Sequence, residues 1–237
     1  MTLDRRAREV EWIDQIGNDP GVLAENLEEI RRINRWLGGS ALSLGALDRL
    51  LPAGDVEEPV RLLDVGTGAA DLPEALDDWL RRRKLRGQVI GVDLSVEVLA
   101  RGRERLGRRG ADIPLAVADG IHLPFGDGAF AVAHCSFLLH HLDPDDAVAL
   151  LGELRRVSRR GVVVNDLRRG WISYLGSLIV CRVLSRNPLT RHDGPLSARR
   201  AYSVPEMAEL ARRARLTRIR FAGTLGYRVA MIAEAGV

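Results

Sequence analysis

Residues 22–37, VLAENLEEIRRINRWL, place apolar side chains at helical spacing and stop at Gly38-Gly39, a natural helix end. Ser40 is positioned to cap a second helix over 41–51. From residue 60 the pattern changes. VRLLDV (60–65), QVIGVDL (88–94), IPLAVAD (113–119), AFAVAHCS (129–136) and GVVVNDL (161–167) are short apolar runs, each reading as a buried strand. Between them, 71–83, 96–107 (capped by Ser95) and 144–158 carry helical periodicity. Such an alternation predicts a parallel sheet covered on both faces, with right-handed connections. After the fifth strand the rhythm breaks. Residues 170–202 read as an insertion: an apolar helix over 171–185, then the polar turn SRNPLTRHDGPLS (185–197). Pro205 opens a helix to about 214, and LTRIRFAG (216–223) and GYRVAMIAEA (226–235) form a hairpin, so the sheet is expected to end with an antiparallel strand.

The chain has 237 residues, 46% of them hydrophobic, which suits one sizeable α/β domain or one domain with an appended lid. The start, MTLDRRAREVEW, is charged and lacks the apolar core of a signal peptide. The longest apolar stretch, WISYLGSLIVC (171–181), stops at Arg182 and is too short to span a bilayer. Cys135 and Cys181 make neither a disulfide framework nor a metal site, so no metal is expected. A soluble, cytoplasmic protein without membrane insertion follows. The net charge is only +3, and Lys84 is the single lysine. Basic clusters such as RRRK (81–84) sit at predicted helix ends, where cations suit the helix dipole, so they read as solvated surface rather than as a nucleic-acid face.

The stretch LLDVGTGAADLP (62–73) carries the chemistry. Asp64 ends the first strand, and Gly66 and Gly68 let the backbone turn tightly and approach a ligand closely. A dinucleotide fingerprint would have a third glycine or an alanine where this chain has Asp71, whose charge opposes a pyrophosphate. Asp93 ends strand two, where a carboxylate can accept both hydroxyls of a ribose. Asp119 ends strand three and can accept from an adenine amine. Four carboxylates thus gather on the carboxyl edge of the sheet, where open α/β sheets bind ligands. A ligand with a ribose, an adenine and positive charge fits. S-adenosyl-L-methionine has all three; NAD fits poorly.

The segments LLDVGTGAAD, VIGVDLS, VADGIHLPFGDGAFAVAHCSFLLHHL and ELRRV, in this order, resemble the class I S-adenosylmethionine-dependent methyltransferases, most closely the small-molecule branch of ubiquinone and menaquinone methyltransferases. The resemblance is close over residues 58 to 166. It implies a Rossmann-like seven-stranded doubly wound sheet with a C-terminal antiparallel hairpin and a helical lid. Residues 1–57 would form an N-terminal helical cap, and 58–237 the main domain with a cap insertion at 170–202. It also implies that Asp64, Gly66 and Gly68 line the methionine end, Asp93 the ribose, and Asp119 with the Gly120 amide the adenine; Thr67, Asp71, Leu94 and Ser136 complete the cofactor set. One departure is GTGAAD, where Ala69 and Ala70 replace a frequent third glycine. The tail NDLRRGW…RHDGPLSARRAYS also resembles methyltransferases of phenolic polyketide pathways.

The acceptor is expected past strands four and five. Methyl transfer needs alignment and exclusion of water, and an oxygen or carbon acceptor also needs a base. His140, His141, His192 beside Asp193, and Asp166 with Asn165 are the candidates. The histidine pair reads equally as a structural cap, and His122 and His134 read as strand-flank residues. Arg168 and Arg169 read as an anion clamp or as surface charge. The 171–185 helix, with Trp171 and Tyr174, reads as a cap, a core helix or an oligomer contact such as a homodimer. The expected reaction is methylation of a small aromatic or phenolic acceptor, with oxygen slightly preferred over carbon. The competing readings are a NAD-dependent oxidoreductase, an RNA methyltransferase and a cofactor binder without catalysis. HCSF (134–137) lacks the Asn/Asp-Pro-Pro-aromatic signature of base-amine methylation, against the second of these.

Overall fold

The computed structural model describes residues 3–15, 17–52, 54, 59–224 and 226–235, so the expected boundary at 57/58 lies outside the described residues. Seven strands form one sheet: β1 (Val60–Val65), β2 (Gly87–Asp93), β3 (Leu115–Val117), β4 (Phe130–Ser136), β5 (Ser158–Leu167), β6 (Thr217–Thr224) and β7 (Arg228–Glu234). The order is β3-β2-β1-β4-β5-β7-β6, with β1 to β5 parallel. The reversed strand is β7, and it lies inside the sheet, paired antiparallel to both β5 and β6. The sheet therefore ends on β6, not on its antiparallel strand. The side chains explain the placement: RVAMIAE is buried along almost its whole length, whereas β6 carries Arg218 and Arg220, charges that suit an edge.

The described residues form eight helices: α1 (Pro20–Trp36), α2 (Gly39–Leu50), α3 (Asp71–Arg82), α4 (Val96–Arg109), α5 (Pro144–Val157), α6 (Trp171–Leu184), α7 (Pro188–Arg200) and α8 (Val204–Arg213), of which α2, α3, α4, α5 and α8 pack on the sheet and α6 packs on α7. On one face Leu150, Leu151 and Leu154 of α5 and Met207 and Leu210 of α8 pack on Val162, Val164 and Met231. On the other, Leu47 of α2 and Leu76 and Leu80 of α3 pack on Leu62, Val132, Val163 and Ile232. Among the described residues no helix is long and apolar enough to cross a membrane.

Two elements differ from expectation. Gly38, in the left-handed region at φ +70°, caps α2 in place of Ser40, which lies inside the helix. The larger change is α7, where a polar turn was expected. Asn187 caps it through Leu189 N, and Pro188 sits in its first turn, where a proline costs little. Its buried face carries a polar stripe, Thr190, Asp193, Ser197 and Arg200, beside Leu189, Leu196 and Ala198. This stripe laces the N-terminal segment down. Asp193 accepts from Trp12 N and Ile13 N, each at 2.9 Å, Ser197 donates to Glu11 at 2.7 Å, and Arg200 donates to the Glu9 carbonyl. Hydrophobic periodicity cannot reveal a helix whose inner face is made of hydrogen bonds.

Candidate active site

The turn after β1 is built as its glycines require. Gly66, Gly68 and Ala70 all have left-handed φ values (69°, 56° and 60°). A Cβ at Gly66 would press on Leu138 at 3.0 Å, whereas the Cβ position of Gly68 faces open space. Gly68 N donates to Asp93 Oδ2 at 2.9 Å, tying the turn to the end of β2. Asp64 is 2% exposed and both its oxygens are used internally: Oδ1 bonds His134 Nδ1 and Oδ2 accepts from Thr67 Oγ1, each at 2.8 Å. Asp64 therefore braces the turn from below. His134 is a buried strut rather than a strand-flank residue, because its Nε2 reaches Ser43 Oγ of α2 at 2.9 Å.

A cavity of about 470 Å³ opens above this turn, lined by Asp64, Gly66, Thr67, Gly68, Asp71 and Ser136 at one end. Asp93, Leu94, Asp119 and Gly120 are not in its lining; Asp93 ends β2, Leu94 follows it, and Asp119 and Gly120 lie just past the end of β3. Asp93 also accepts from Ser95 N, Asp119 accepts from Ile121 N, and Leu94, next to Asp93, is 70% exposed. Burial pushes the carboxyls of both Asp71 and Asp93 above the usual carboxylate range. Asp71, a desolvated acid in the cavity lining, favours a cationic ligand, and the space at Gly68 admits one close to the backbone. The residues present thus fit S-adenosylmethionine.

At the other end His140 is fixed from two sides. Its Nδ1 lies 2.6 Å from Asp166 Oδ1 and its backbone N donates to Asp166 Oδ2 at 3.0 Å. Burial works against the Asp166 charge, but His140 outweighs it and holds that carboxyl below the usual range. His141 bonds Asp14 at 2.8 Å through Nδ1. Burial opposes its positive charge too, yet the bond to Asp14 and the charge of Glu11 raise its pKa to about 9. The Nε2 atoms of both histidines point to Glu11, at 3.7 and 3.9 Å. These three residues have ligand atoms within 4.8 Å of one another, a spacing that a divalent cation can bridge. Arg200 Nε, 3.6 Å from Glu11 Oε1, already supplies a positive charge there. Asp166 backs His140 without lining the cavity, so of the two only His140 faces the cavity.

Other expectations move. His192 does not line the cavity: its ring stacks on Trp12 at 3.8 Å and its Nδ1 bonds Asp193 at 2.7 Å. Asn165 lies on the opposite sheet face from Asp166, since neighbours on a strand point opposite ways, and it donates to Gly39 O and Ser43 Oγ at 2.8 Å. Arg169 is no anion clamp; it is buried and donates to the Leu3 and Ala201 carbonyls and to Glu206. Arg168 is exposed. Trp171 is 53% exposed, and the face of α6 toward the cavity is instead Ile172, Ser173, Gly176, Ser177, Val180 and Cys181.

Sequence reasoning missed Glu11 and Arg228. Arg228 is 2% exposed, donates from Nη2 to Asn34 Oδ1 at 2.9 Å, and lies 4.1 Å over the Phe137 ring. Burial lowers its pKa to about 10. The one signal was an arginine opening an otherwise apolar strand. Among the described residues six have a buried side-chain polar atom without a partner, and four of them, Glu11, Asn26, Ser173 and Arg228, line this cavity.

Comparison with known proteins agrees with this geometry. Residues 62–161 match the family described as a methyltransferase domain. The ubiquinone/menaquinone biosynthesis C-methyltransferase of Cupriavidus pinatubonensis is 28% identical over 164 residues, covering 68% of this chain and 65% of that protein. The demethylmenaquinone methyltransferase of Thermus thermophilus is 37% identical over 103 residues, 44% of each chain. This chain thus spans less than two thirds of the length of either relative. A methyltransferase from Aquifex aeolicus superposes with a TM-score of 0.63 at 18% identity, covering 92% of this chain and all of that one. Residues 62–161 thus match a methyltransferase domain, on a fold shared with a solved S-adenosylmethionine-dependent methyltransferase. Over the stretches aligned, the chain is similar to methyltransferases of ubiquinone and menaquinone biosynthesis.

Proposed function

We propose that this chain methylates a ring carbon of a flat hydroxyaromatic acceptor of the quinol type, held in the cavity between the β1 turn and α6. The observation that carries the reading is the concentration, around the lining of one cavity, of buried polar atoms without a hydrogen-bond partner, beside a turn suited to the cofactor. Buried polar groups without partners are rare, and their clustering marks a site that a polar ligand completes. The choice of carbon over oxygen follows the relatives, one of which is named a C-methyltransferase, and replaces the oxygen preference drawn from the sequence.

The bound cofactor supplies a methyl group on a positively charged sulfur, already activated for in-line displacement. The chain has three tasks. Asp93 and Asp119 hold the nucleoside, while Asp71 and the Gly66–Gly68 turn hold the methionine end. Segment 1–57 and insertion 170–202 act as a cap over the 58–237 domain, with the apolar face of α6 excluding water. His140, braced by Asp166, takes the proton that the acceptor loses.

The test is equilibrium binding of S-adenosylhomocysteine and NAD, followed by turnover of a panel of naphthalene and benzene diols with the methylated atom located by NMR. Binding of the adenosyl compound alone is expected. Asp93→Ala should weaken it about tenfold or more, the cost of losing a charged acceptor. Binding of NAD in its place would overturn the reading, and a methyl group found on oxygen would return the acceptor atom to the earlier preference.

A further inference from the structure

We propose that Arg228 is the anion-holding group of the acceptor pocket, so that the acceptor binds and reacts as an oxyanion, a phenolate or enolate, rather than as a neutral phenol. This rests on the methyl-transfer reading above and names the substrate class of that site. Arg228 opens β7 opposite Leu167, the last residue of β5, at the edge where the acceptor end of the cavity lies. Its guanidinium is flanked by the Phe137 ring and by Asn34 of α1. Nη1 fills the space that Gly39 leaves by having no side chain; a Cβ there would collide with it. Nε and Nη1 have no partner, although the side chain is almost fully buried.

The chain carries its own controls. Arg169 and Arg200 are also buried, and both direct their N–H groups at backbone carbonyls: Leu3 and Ala201 for the first, Glu9, His140 and His141 for the second. That is how arginine holds a fold together. Arg228 bonds one amide oxygen and leaves N–H groups unused beside an apolar cavity. A buried guanidinium without a counter-charge is costly, and a planar oxyanion is the partner its geometry favours. The other arginine in the cavity lining, Arg31, is already paired with Glu28.

The chemistry balances. The oxyanion pushes electron density into the ring, and a ring carbon forms the new bond to methyl. The carbon–sulfur electron pair returns to sulfur as a neutral thioether. His140 then takes the proton from the methylated carbon, restoring the aromatic oxyanion on Arg228. Arg228 itself exchanges no proton; it holds the oxygen throughout.

The probe is 2-hydroxy-1,4-naphthoquinone, an enolate at neutral pH, set against its neutral 2-methoxy ether. Each is titrated into the protein saturated with S-adenosylhomocysteine, in the wild type, Arg228→Met and Arg228→Lys. The enolate should bind about tenfold tighter than the ether to the wild type, the preference should vanish in Arg228→Met, and Arg228→Lys should restore part of it. Equal affinity of the two probes for the wild type, or no binding of the enolate, would overturn the proposal without recourse to any variant. A loss of S-adenosylhomocysteine affinity in Arg228→Met would assign the guanidinium to the cofactor carboxylate and overturn it as well. Failure of the wild type to bind S-adenosylhomocysteine would count instead against the methyl-transfer reading on which it stands.

Discussion

At Asp64 a carboxylate that is almost fully buried meets His134 and Thr67, while at His141 an imidazolium is held between Asp14 and Glu11. The second arrangement has a measurable consequence. The folded pKa of His141, about 9, lies above the 6.5 of an unperturbed histidine. Its contribution to stability is therefore fully present below pH 6.5 and is lost as pH rises through 9. Denaturant unfolding across that window should show a decline of at most about 3 kcal/mol, flattened in His141→Gln. An unchanged slope in the variant would remove His141 as its source. Single residues were legible when their role was local. Gly66 and Gly68 announce their backbone angles, and Asp93 announces the end of a strand. Arg228 and Glu11 were not legible, since each acts through partners far along the chain, Asn34 in one case and Ser197 in the other.

Between α6 and α7 the contact depends on the absence of a side chain. A Cβ at Gly194 would run into Cys181 Sγ, so the two helices can meet there only because the residue is glycine. Gly194→Ala should cost about 1–3 kcal/mol through overpacking and backbone shift, and adding Cys181→Ala should recover much of it. Thermal or denaturant unfolding of the two single variants and the double reads the coupling, and additive effects would count against the contact. Most elements with apolar inner faces were read from the sequence to within a residue or two: β1 matches its predicted span, and α3 and α5 each end a residue early, while β5 starts three residues before its predicted span. α7 was missed because Asn187, Pro188, Gly194 and Pro195 read as loop punctuation while its buried stripe is polar. The sheet edge was misassigned because a hairpin sequence does not say which of its strands enters the sheet.

Across the molecule, distant parts of the chain meet at one cavity: the segment around Glu11, α1, the β1 turn, the end of β4, α6 and the start of β7. The parallel core was legible, because that architecture is encoded strand by strand. The pairings that tie the N-terminal segment to α7, such as Asp193 with the Trp12 and Ile13 amides, were not, because they join residues far apart in the chain. The cavity also carries a reporter. Cys181 lies in its wall on α6, and burial pushes its thiol up to about 11, so a thiol-directed reagent meets a reactive thiolate there only slowly. Cys135, the other cysteine, is sealed within β4. The chain thus carries one slow-reacting thiol whose labelling rate reports access to the cavity. S-adenosylhomocysteine together with an acceptor analogue should slow that rate several-fold, as followed by mass spectrometry. An undiminished rate would mean that the reagent reaches Cys181 by a route that a filled cavity does not block.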